Sequence, residues 1–433
     1  MKSRRWKFSE AAPLPSRFGS ASWAVLAAVA MLYVVGLLCI YATEVSSAAA
    51  PGKTIKHLVN LAIGLGAFML ILRVGHQRIG RFAVLIVALG LLGLVPLLVA
   101  RHVPLGDVIP RRRGAFRWIQ LPFYSYQPSE FMKIAFIVGL AAYLRYRRNY
   151  RTFLGLMIPM AASLVPLALI LMEPDLGTAL LIMPVLFVML FAAGAKTKHF
   201  VAVGACGLCV MPVLWTRLQP YQRSRFLGVL LQSEGLRARV IEEPHKYRFL
   251  GSERQSREWE HGSGMQLVRS KAALGSGGLT GHGWARGAFV EFSFLPDKHN
   301  DFIFAMVGHQ WGLVGCLLVV TCYVIMVLAG IEIAAATPEP FARLLAVGVV
   351  ALLSTQVAIN IGMTIGLVPI TGMTLPFVSY GGSSLLANFI GIGLLISVSR
   401  SRPFLLADKP FEFGASAGRD AALRPAPSYR AGP

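Results

Sequence analysis

The chain has 433 residues, 55% of them hydrophobic and only 14% charged, with a mean hydropathy of +0.61. That composition excludes a soluble globular enzyme and fits an all-α polytopic membrane protein. The formal charge of +22 would suit a nucleic-acid ligand, but the basic residues flank apolar segments. There they act as topology signals and contacts for anionic lipid headgroups, so nucleic acid is not an expected partner. The five cysteines (Cys39, Cys206, Cys209, Cys316 and Cys322) all lie in apolar runs. Cys206-x-x-Cys209 has no soluble βαβ context and reads as helix packing, with no disulfide and no zinc site.

Residues 1–20 form a basic tail carrying Lys2, Arg4, Arg5, Lys7 and Arg17. The apolar span at 21–43 is too long for a signal-peptide core and reads as a retained helix. Further spans fall at 55–73, 80–100, 128–144, 153–172, 176–194, 199–215, 302–329, 343–367 and 384–399, giving ten within a membrane domain over 21–403. The loops after the second, fourth and sixth spans (Arg73–Arg81, Arg145–Arg151 and Lys196–His199) are short and basic. They are expected in the cytoplasm together with both termini. Residues 404–433, rich in Ala, Pro, Gly and Arg, are expected to form a disordered cytoplasmic tail.

Every unusual segment then follows an odd-numbered span and falls on the outer face. These are Gly114–Glu130, Glu173–Ala179, a large loop over 216–301, and Pro369–Ser384. Four chemically dense regions on one face look like one composite site. Arg111, Arg112, Arg113 and Arg117 break the positive-inside rule in a short outer loop, and an anionic ligand is the simplest reason for keeping them there.

The densest stretch is Leu295-Pro-Asp-Lys-His-Asn-Asp-Phe-Ile-Phe-Ala305. It sets Asp301 at a water–lipid boundary, where a carboxylate costs up to about 2.5–3.5 kcal/mol at full depth, so a function is the default reading. The plainer alternative is that Asn300 or Asp301 only caps the helix that follows. Gly114-Ala-Phe-Arg-Trp-Ile119 joins a guanidinium to an interfacial indole, as either a ligand contact or an aromatic-belt anchor. Gln127-Pro-Ser-Glu130 opens the fourth span, and Lys133 shares a face with Glu130. The two either form an internal ion pair or add a pyrophosphate to it. Glu173-Pro-Asp-Leu-Gly-Thr-Ala179 has the composition of a tight re-entrant turn with Asp175 as a helix cap. Gly275–Gly283 is glycine-rich, so its backbone could approach a ligand closely, though a plain flexible loop is commoner. Thr374–Ser384, with Ser379 and Ser383, could form an anion-binding nest at a helix N-terminus or merely cap it. Gln356 and Asn360 lie one turn apart on the ninth span.

Taken together, Gly-Ala-Phe-Arg117-Trp-Ile with Gln-Pro-Ser-Glu130-x-x-Lys133, Glu-Pro-Asp-Leu-Gly-Thr-Ala179, Gln266-x-x-x-Ser270-Lys271-x-Ala-x-Gly-Ser-Gly-Gly278, His-Asn-Asp301-Phe-Ile-Phe-Ala and Leu-Pro-Phe-x-Ser379-Tyr-Gly-Gly-Ser383-Ser resemble the SEDS family. This is the shape, elongation, division and sporulation group that includes RodA, FtsW and SpoVE. The six motifs are co-linear and the resemblance covers about residues 20–403. It implies a peptidoglycan glycosyltransferase that polymerises lipid II at the outer face of the cytoplasmic membrane, beside a class B penicillin-binding protein. It also implies that Asp301 is the essential acid, and that Arg117, Glu130, Lys133, Gln266, Ser270 and Lys271 fall on family positions. Two departures stand out. Gly308-His-Gln310 replaces the usual Gly-Glu-Glu, and the stretch from Arg225 to Gln266 is longer than usual.

The expectation is therefore an inverting transferase with Asp301 as general base and Arg117, Glu130, Lys133, Gln266, Ser270, Lys271, Ser379 and Ser383 as substrate-binding residues. A divalent cation, Mg2+ or Mn2+, bridging Asp301 and pyrophosphate is the one cofactor the chemistry admits, and no spacing in the chain demonstrates it. A RodA-like elongation role is preferred slightly over an FtsW-like division role, because the chain lacks long soluble extensions. The rival reading is a lipid II flippase with Glu130, Lys133, Gln356 and Asn360 along a polar path. The outer-face clustering and the lack of an obvious inverted repeat weigh against it.

Overall fold

The computed structural model describes residues 19–46, 52–103, 106–112, 115–122, 124–145, 152–217, 220–247, 253–259, 261–262, 264–292 and 294–400. The basic N-terminal tail as far as Phe18, Arg113 and Gly114, the stretch Tyr146–Arg151 and the C-terminal tail lie outside the described residues. The fold is almost wholly helical, as the composition requires: in lipid the backbone must satisfy its own hydrogen bonds.

Helices α1 (Ser20–Ser46) and α2 (Gly52–Val74) are followed by the short α3 (His76–Arg81) and by α4 (Ala83–Val99). A two-stranded antiparallel hairpin, β1 (Ile119–Leu121) with β2 (Tyr124–Tyr126), sets Ile119 opposite Tyr126 and leads into α5 (Pro128–Leu144). Next come α6 (Phe153–Met172), α7 (Leu176–Ala193) and α8 (Thr197–Arg217). The long loop between α8 and the next long helix is itself helical, with α9 (Pro220–Leu230), α10 (Glu234–Glu242), α11 (Glu253–Arg257), α12 (Met265–Ser276) and α13 (Ala288–Glu291). Three long helices close the bundle: α14 (Ile303–Ala335), α15 (Pro340–Ile365) and α16 (Gly382–Ser399).

Helices thus occupy each stretch expected to cross the membrane. Among the described residues, α1, α2, α6, α7, α14, α15 and α16 are long and apolar enough to cross by themselves. The remaining three are shorter or more polar: α4, the apolar part of α8 at Thr197–Pro212, and α5, which carries Glu130 and Lys133.

The main core joins Leu32 and Ile40 of α1, Ile137 of α5, Met189 of α7, Val319 of α14, Leu345 of α15 and Leu395 of α16, all fully buried. Side chains such as Val84 and Leu154 face outward, as lipid permits. A second core lies under this loop, where Leu227, Leu231, Val240, Trp259 and Leu267 pack on Phe302 and Met306 at the start of α14 and on Ile370. The long insertion is therefore seated on the helix that begins just after Asp301.

Helix α14 is broken at Gly312, whose φ of 62° and ψ of −155° are open only to glycine. The peptide groups freed by the break are met by the glycine-rich segment. His282 N donates to His309 O (3.1 Å), Gly283 N to Gln310 O (3.0 Å), Leu313 N to Gly278 O (2.9 Å) and Val314 N to Leu279 O (3.2 Å). The close approach expected of those glycines is real, but it is made to the backbone of α14 and not to a ligand. A Cβ on Gly281, at φ 80°, would collide with the Gln310 carbonyl. The departure at Gly308-His-Gln310 serves the same contact. His309 Nδ1 lies 2.8 Å from Ser276 Oγ, and Gln310 Oε1 accepts from Ala285 N at 3.1 Å.

Replacing Gly281 with Val should therefore destabilise the folded protein by about 1–3 kcal/mol through strain and clash. Gly275→Ala, where a Cβ meets open space, should be silent or slightly stabilising. Thermal unfolding in detergent measures both, and equal effects would contradict the backbone-pairing account.

Candidate active site

The four segments singled out in the sequence converge on one cavity of about 640 Å³. Its walls are the loop at Ala115–Trp118, the start of α5, the turn between α6 and α7, Arg225 of α9, the Asn300–Asp301 step, Gln356 of α15, and the segment Thr371–Ser384.

Asp301 stands directly before Phe302, the N-cap of α14. The peptide of Asp301 is fixed from α15: fully buried Asn360 donates through Nδ2 to Asp301 O (3.0 Å) and to Met373 O (2.6 Å). Ser379 Oγ accepts from Leu375 N (2.7 Å) and donates to Asn300 O (2.5 Å), while Tyr380 N donates to His299 O (2.9 Å). His299 is turned toward Thr43 of α1 at 2.8 Å. Burial, with Lys53 and Lys298 nearby, holds its imidazole down at about 4, so it is neutral at physiological pH.

On the opposite wall, Pro128 at the first turn starts α5 after Gln127, which places Glu130 and Lys133 one turn apart. They form a buried ion pair at 2.8 Å, and Lys133 Nζ also reaches Gln356 Oε1 at 3.4 Å. Gln356 in turn donates to Thr374 O at 2.9 Å. Asp175 is the N-cap of α7, as its motif suggested, accepting from Thr178 N (3.3 Å). Its other oxygen takes hydrogen bonds from Gln127 Nε2 (3.0 Å), Ser129 Oγ (2.9 Å) and Thr178 Oγ1 (2.9 Å).

Arg117 lines the cavity and straddles the same turn, its Nε donating to Glu173 O at 3.2 Å and its Nη2 to Pro174 O. Arg117 therefore anchors the turn while it lines the cavity. The Glu173 carboxyl is buried beneath it, without a hydrogen-bond partner among the described residues. Burial, with Asp175 beside it, pushes that carboxyl up to about 9 against the pull of Arg117, so Glu173 is neutral at pH 7.

Of the residues expected from the sequence, Asp301, Arg117, Glu130 and Lys133 line this cavity. Ser379 and Ser383 stitch its rim instead: Ser383 Oγ donates to Ser125 O (2.8 Å) and accepts from Gln127 N (3.0 Å). Gln266, Ser270 and Lys271 are not brought to it. They sit on α12, where buried Ser270 donates to Thr364 O (2.9 Å) and Lys271 reaches Gln232 Oε1 (2.6 Å). Gln232 completes the chain to Gly366 O (2.8 Å), so this group ties the long loop to the carbonyls left open where α15 ends. Of the arginine run, Arg112 lines the cavity and is held by Gln120 Oε1 at 3.0 Å.

Sequence reasoning missed Arg225, because the charge rule says nothing about long loops. It also missed Asn300, whose buried side-chain oxygen has no hydrogen-bond partner among the described residues. Among those residues, no group of three or more His, Cys, Asp and Glu side chains could hold a metal ion.

The buried pair yields a direct test. Glu130→Gln strands the Lys133 ammonium and should cost about 3–5 kcal/mol in thermal unfolding, whereas Glu130→Gln combined with Lys133→Met should recover most of it. Additive losses in the double variant would contradict a closed pair.

Residues 22–403 match the cell cycle protein family of FtsW, RodA and SpoVE. The chain is 36% identical over 291 residues to stage V sporulation protein E of Bacillus subtilis, covering 67% of this chain and 72% of that one. It is 32% identical over 385 residues to a probable peptidoglycan glycosyltransferase FtsW of Geobacter sulfurreducens, covering 86% and 94%. Among solved structures, it resembles a chain from a peptidoglycan synthase complex described as coordinating polymerization and crosslinking. There the TM-score is 0.68 and the identity 26%, over 89% of this chain and 98% of that one.

Proposed function

The chain belongs to the FtsW, RodA and SpoVE family of cell cycle proteins, and from that premise we propose that it polymerises lipid II into glycan strands at the outer face of the cytoplasmic membrane. The observation that carries this reading is the shared cavity: Asp301 faces the same 640 Å³ space as Arg117, Lys133 and Arg225. Such a space suits a lipid-linked sugar pyrophosphate, with its tail in the bilayer, its phosphates at the boundary and its sugars outside.

In the reaction, the Asp301 carboxylate takes the proton of the acceptor sugar's 4-hydroxyl as that oxygen attacks the donor's anomeric carbon. The new carbon–oxygen bond forms while the bond to phosphate breaks, and the electron pair leaves with the pyrophosphate. One displacement inverts the anomeric centre. General-base help of this kind is worth about 10²–10⁴-fold. Arg117 and Lys133 stabilise the charge gathering on the leaving group, where low dielectric strengthens each contact. The ion pair with Glu130 keeps the Lys133 ammonium buried and aimed before substrate arrives.

A divalent cation fits here in one way. Asp301 and the Asn300 side-chain oxygen would hold it together with substrate phosphates, and it would supply neutralisation of the pyrophosphate. The likeness to a chain of a peptidoglycan synthase complex supports a crosslinking partner, which we take to be a class B penicillin-binding protein. The basic loops after the second, fourth and sixth spans support a cytoplasmic placement of both termini. The reading applies equally to elongation and to division. Gln356 and Asn360, which a flippase would keep available along a path, spend their amides on backbone carbonyls, and this favours the enzyme.

The test is strand synthesis from lipid II in detergent, where membrane sidedness is lost. The purified chain with a class B transpeptidase should make glycan, Asp301→Asn should abolish it at normal folded yield, and Asp297→Asn should retain it. A preparation that only scrambles lipid II across liposomes would overturn the assignment.

A further inference from the structure

Resting on the glycosyl-transfer reading, we infer that Tyr380 is the platform on which the acceptor sugar lies. Its ring packs against the C–H face of the sugar whose 4-hydroxyl is delivered to Asp301. Among the described residues that line the cavity, the aromatic rings are Trp118 and Tyr380. Trp118 adjoins Arg117, which holds the turn between α6 and α7. Tyr380 belongs to the Asp301 wall: its amide donates to His299 O at 2.9 Å, two residues before Asp301. A single inverting displacement sets the incoming hydroxyl and the departing phosphate on opposite sides of the anomeric carbon. With Arg117 and Lys133 taking the phosphates, the sugar on the Asp301 side is the acceptor, and Tyr380 is the ring it meets. The face of an aromatic ring carries partial negative charge and attracts polarised C–H groups. That contact leaves the hydroxyls at the sugar's edge available to Asp301.

The ring is held from behind. Half-buried Tyr380 lies against His57 of α2 with ring centroids 6.0 Å apart, and His57 is stacked on Tyr33 of α1 at 4.9 Å and 11°. Tyr33 Oη donates to His57 O at 3.1 Å, which fixes that pair. His57 is fully buried, and neither of its ring nitrogens has a hydrogen-bond partner among the described residues. Burying polar atoms in that way is costly. What the fold gains from this imidazole is its flat face, set between two tyrosines. The backbone around Tyr380 is pinned as well. Tyr323 Oη donates to Pro376 O at 2.6 Å, and a Cβ on Gly36 of α1 would collide with the Val378 carbonyl, so this segment rests directly on α1. A ring fixed before the substrate arrives gives up little freedom on binding it. The Tyr33–His57–Tyr380 column is therefore built as a rigid wall beside the general base.

The test separates the two roles that lipid II plays, using the full chain with its transpeptidase. Lipid II capped at the 4-hydroxyl can donate but not accept. Lipid II with its anomeric oxygen replaced by carbon can accept but not donate. Joining one to the other gives a single product, and varying each in turn gives separate KM values for donor and acceptor. Tyr380→Leu should raise the acceptor KM about tenfold while the donor KM and kcat move less than about twofold. Tyr380→Phe, the conservative variant, should restore the acceptor KM to within about twofold of wild type, since the ring and not the hydroxyl does the holding. His57→Ala removes the backing without entering the cavity, and should raise the acceptor KM about threefold with the donor KM unmoved. An unchanged acceptor KM in Tyr380→Leu, equal rises for both probes, or a loss in Tyr380→Phe as large as in Tyr380→Leu overturns the inference. If Tyr380→Leu fails to fold, His57→Ala decides by the same split. Wild type that joins neither the probes nor native lipid II would instead refute the underlying reading.

Discussion

One buried amide holds the site together. Asn360, on the last turns of α15, donates to the carbonyls of Asp301 and Met373. Those two carbonyls belong to segments more than 70 residues apart in the chain. In apolar surroundings each such bond is worth on the order of 0.6–1.7 kcal/mol, which is modest, but leaving either carbonyl unpaired would cost about 1–3 kcal/mol. The penalty for misplacement, more than the strength of the bond, makes the arrangement unique. Ser379 repeats the device one residue earlier, bonding Asn300 O and Leu375 N. The position of the Asp301 backbone is therefore a consequence of where α15 and the 371–384 segment lie.

The same economy runs through the end of the bundle that holds the cavity. Polar side chains near the membrane are spent on backbone groups that regular helix cannot satisfy. Arg117 covers the carbonyls of the turn between α6 and α7, Ser270 and Gln232 cover those at the end of α15, and Arg225 covers Ile370. The break in α14 at Gly312 is closed by the backbone of Gly278–Gly283 in the same way. Irregular backbone is tolerated at such depth only where protein meets it. These side chains and turns form a collar, and the cavity is the space that the collar encloses.

Much of this was legible in the sequence. Apolar run length located every long helix, because hydropathy is a local property. Asp175 announced itself as a cap by its place between Pro174 and a helical run, and spacing alone put Glu130 beside Lys133. The motifs grouped Asp301, Arg117, Glu130 and Lys133, which the fold does bring together. The same motif logic also nominated Gln266, Ser270 and Lys271, which sit on α12 away from the cavity, Ser270 bonded to Thr364 O and Lys271 to Gln232. Spacing within a motif cannot tell a side chain that faces a cavity from one that ties down a loop, since both are polar and both sit at fixed offsets. Arg225 was invisible for a related reason. Its placement depends on how α9 packs over Phe302, a contact between residues 75 apart in sequence. The glycines of 275–283 signalled close approach correctly, but not what they approach.

The account makes the geometry of Asp301 depend on Asn360, and the most direct measurement is strand synthesis from lipid II by Asn360→Ala, normalised to folded protein. Displacing a catalytic group by about 1 Å can cost around a hundredfold in rate. The account predicts a loss of that order in turnover from a variant that still purifies as a folded, monodisperse protein. Synthesis at the wild-type rate per folded molecule would contradict it.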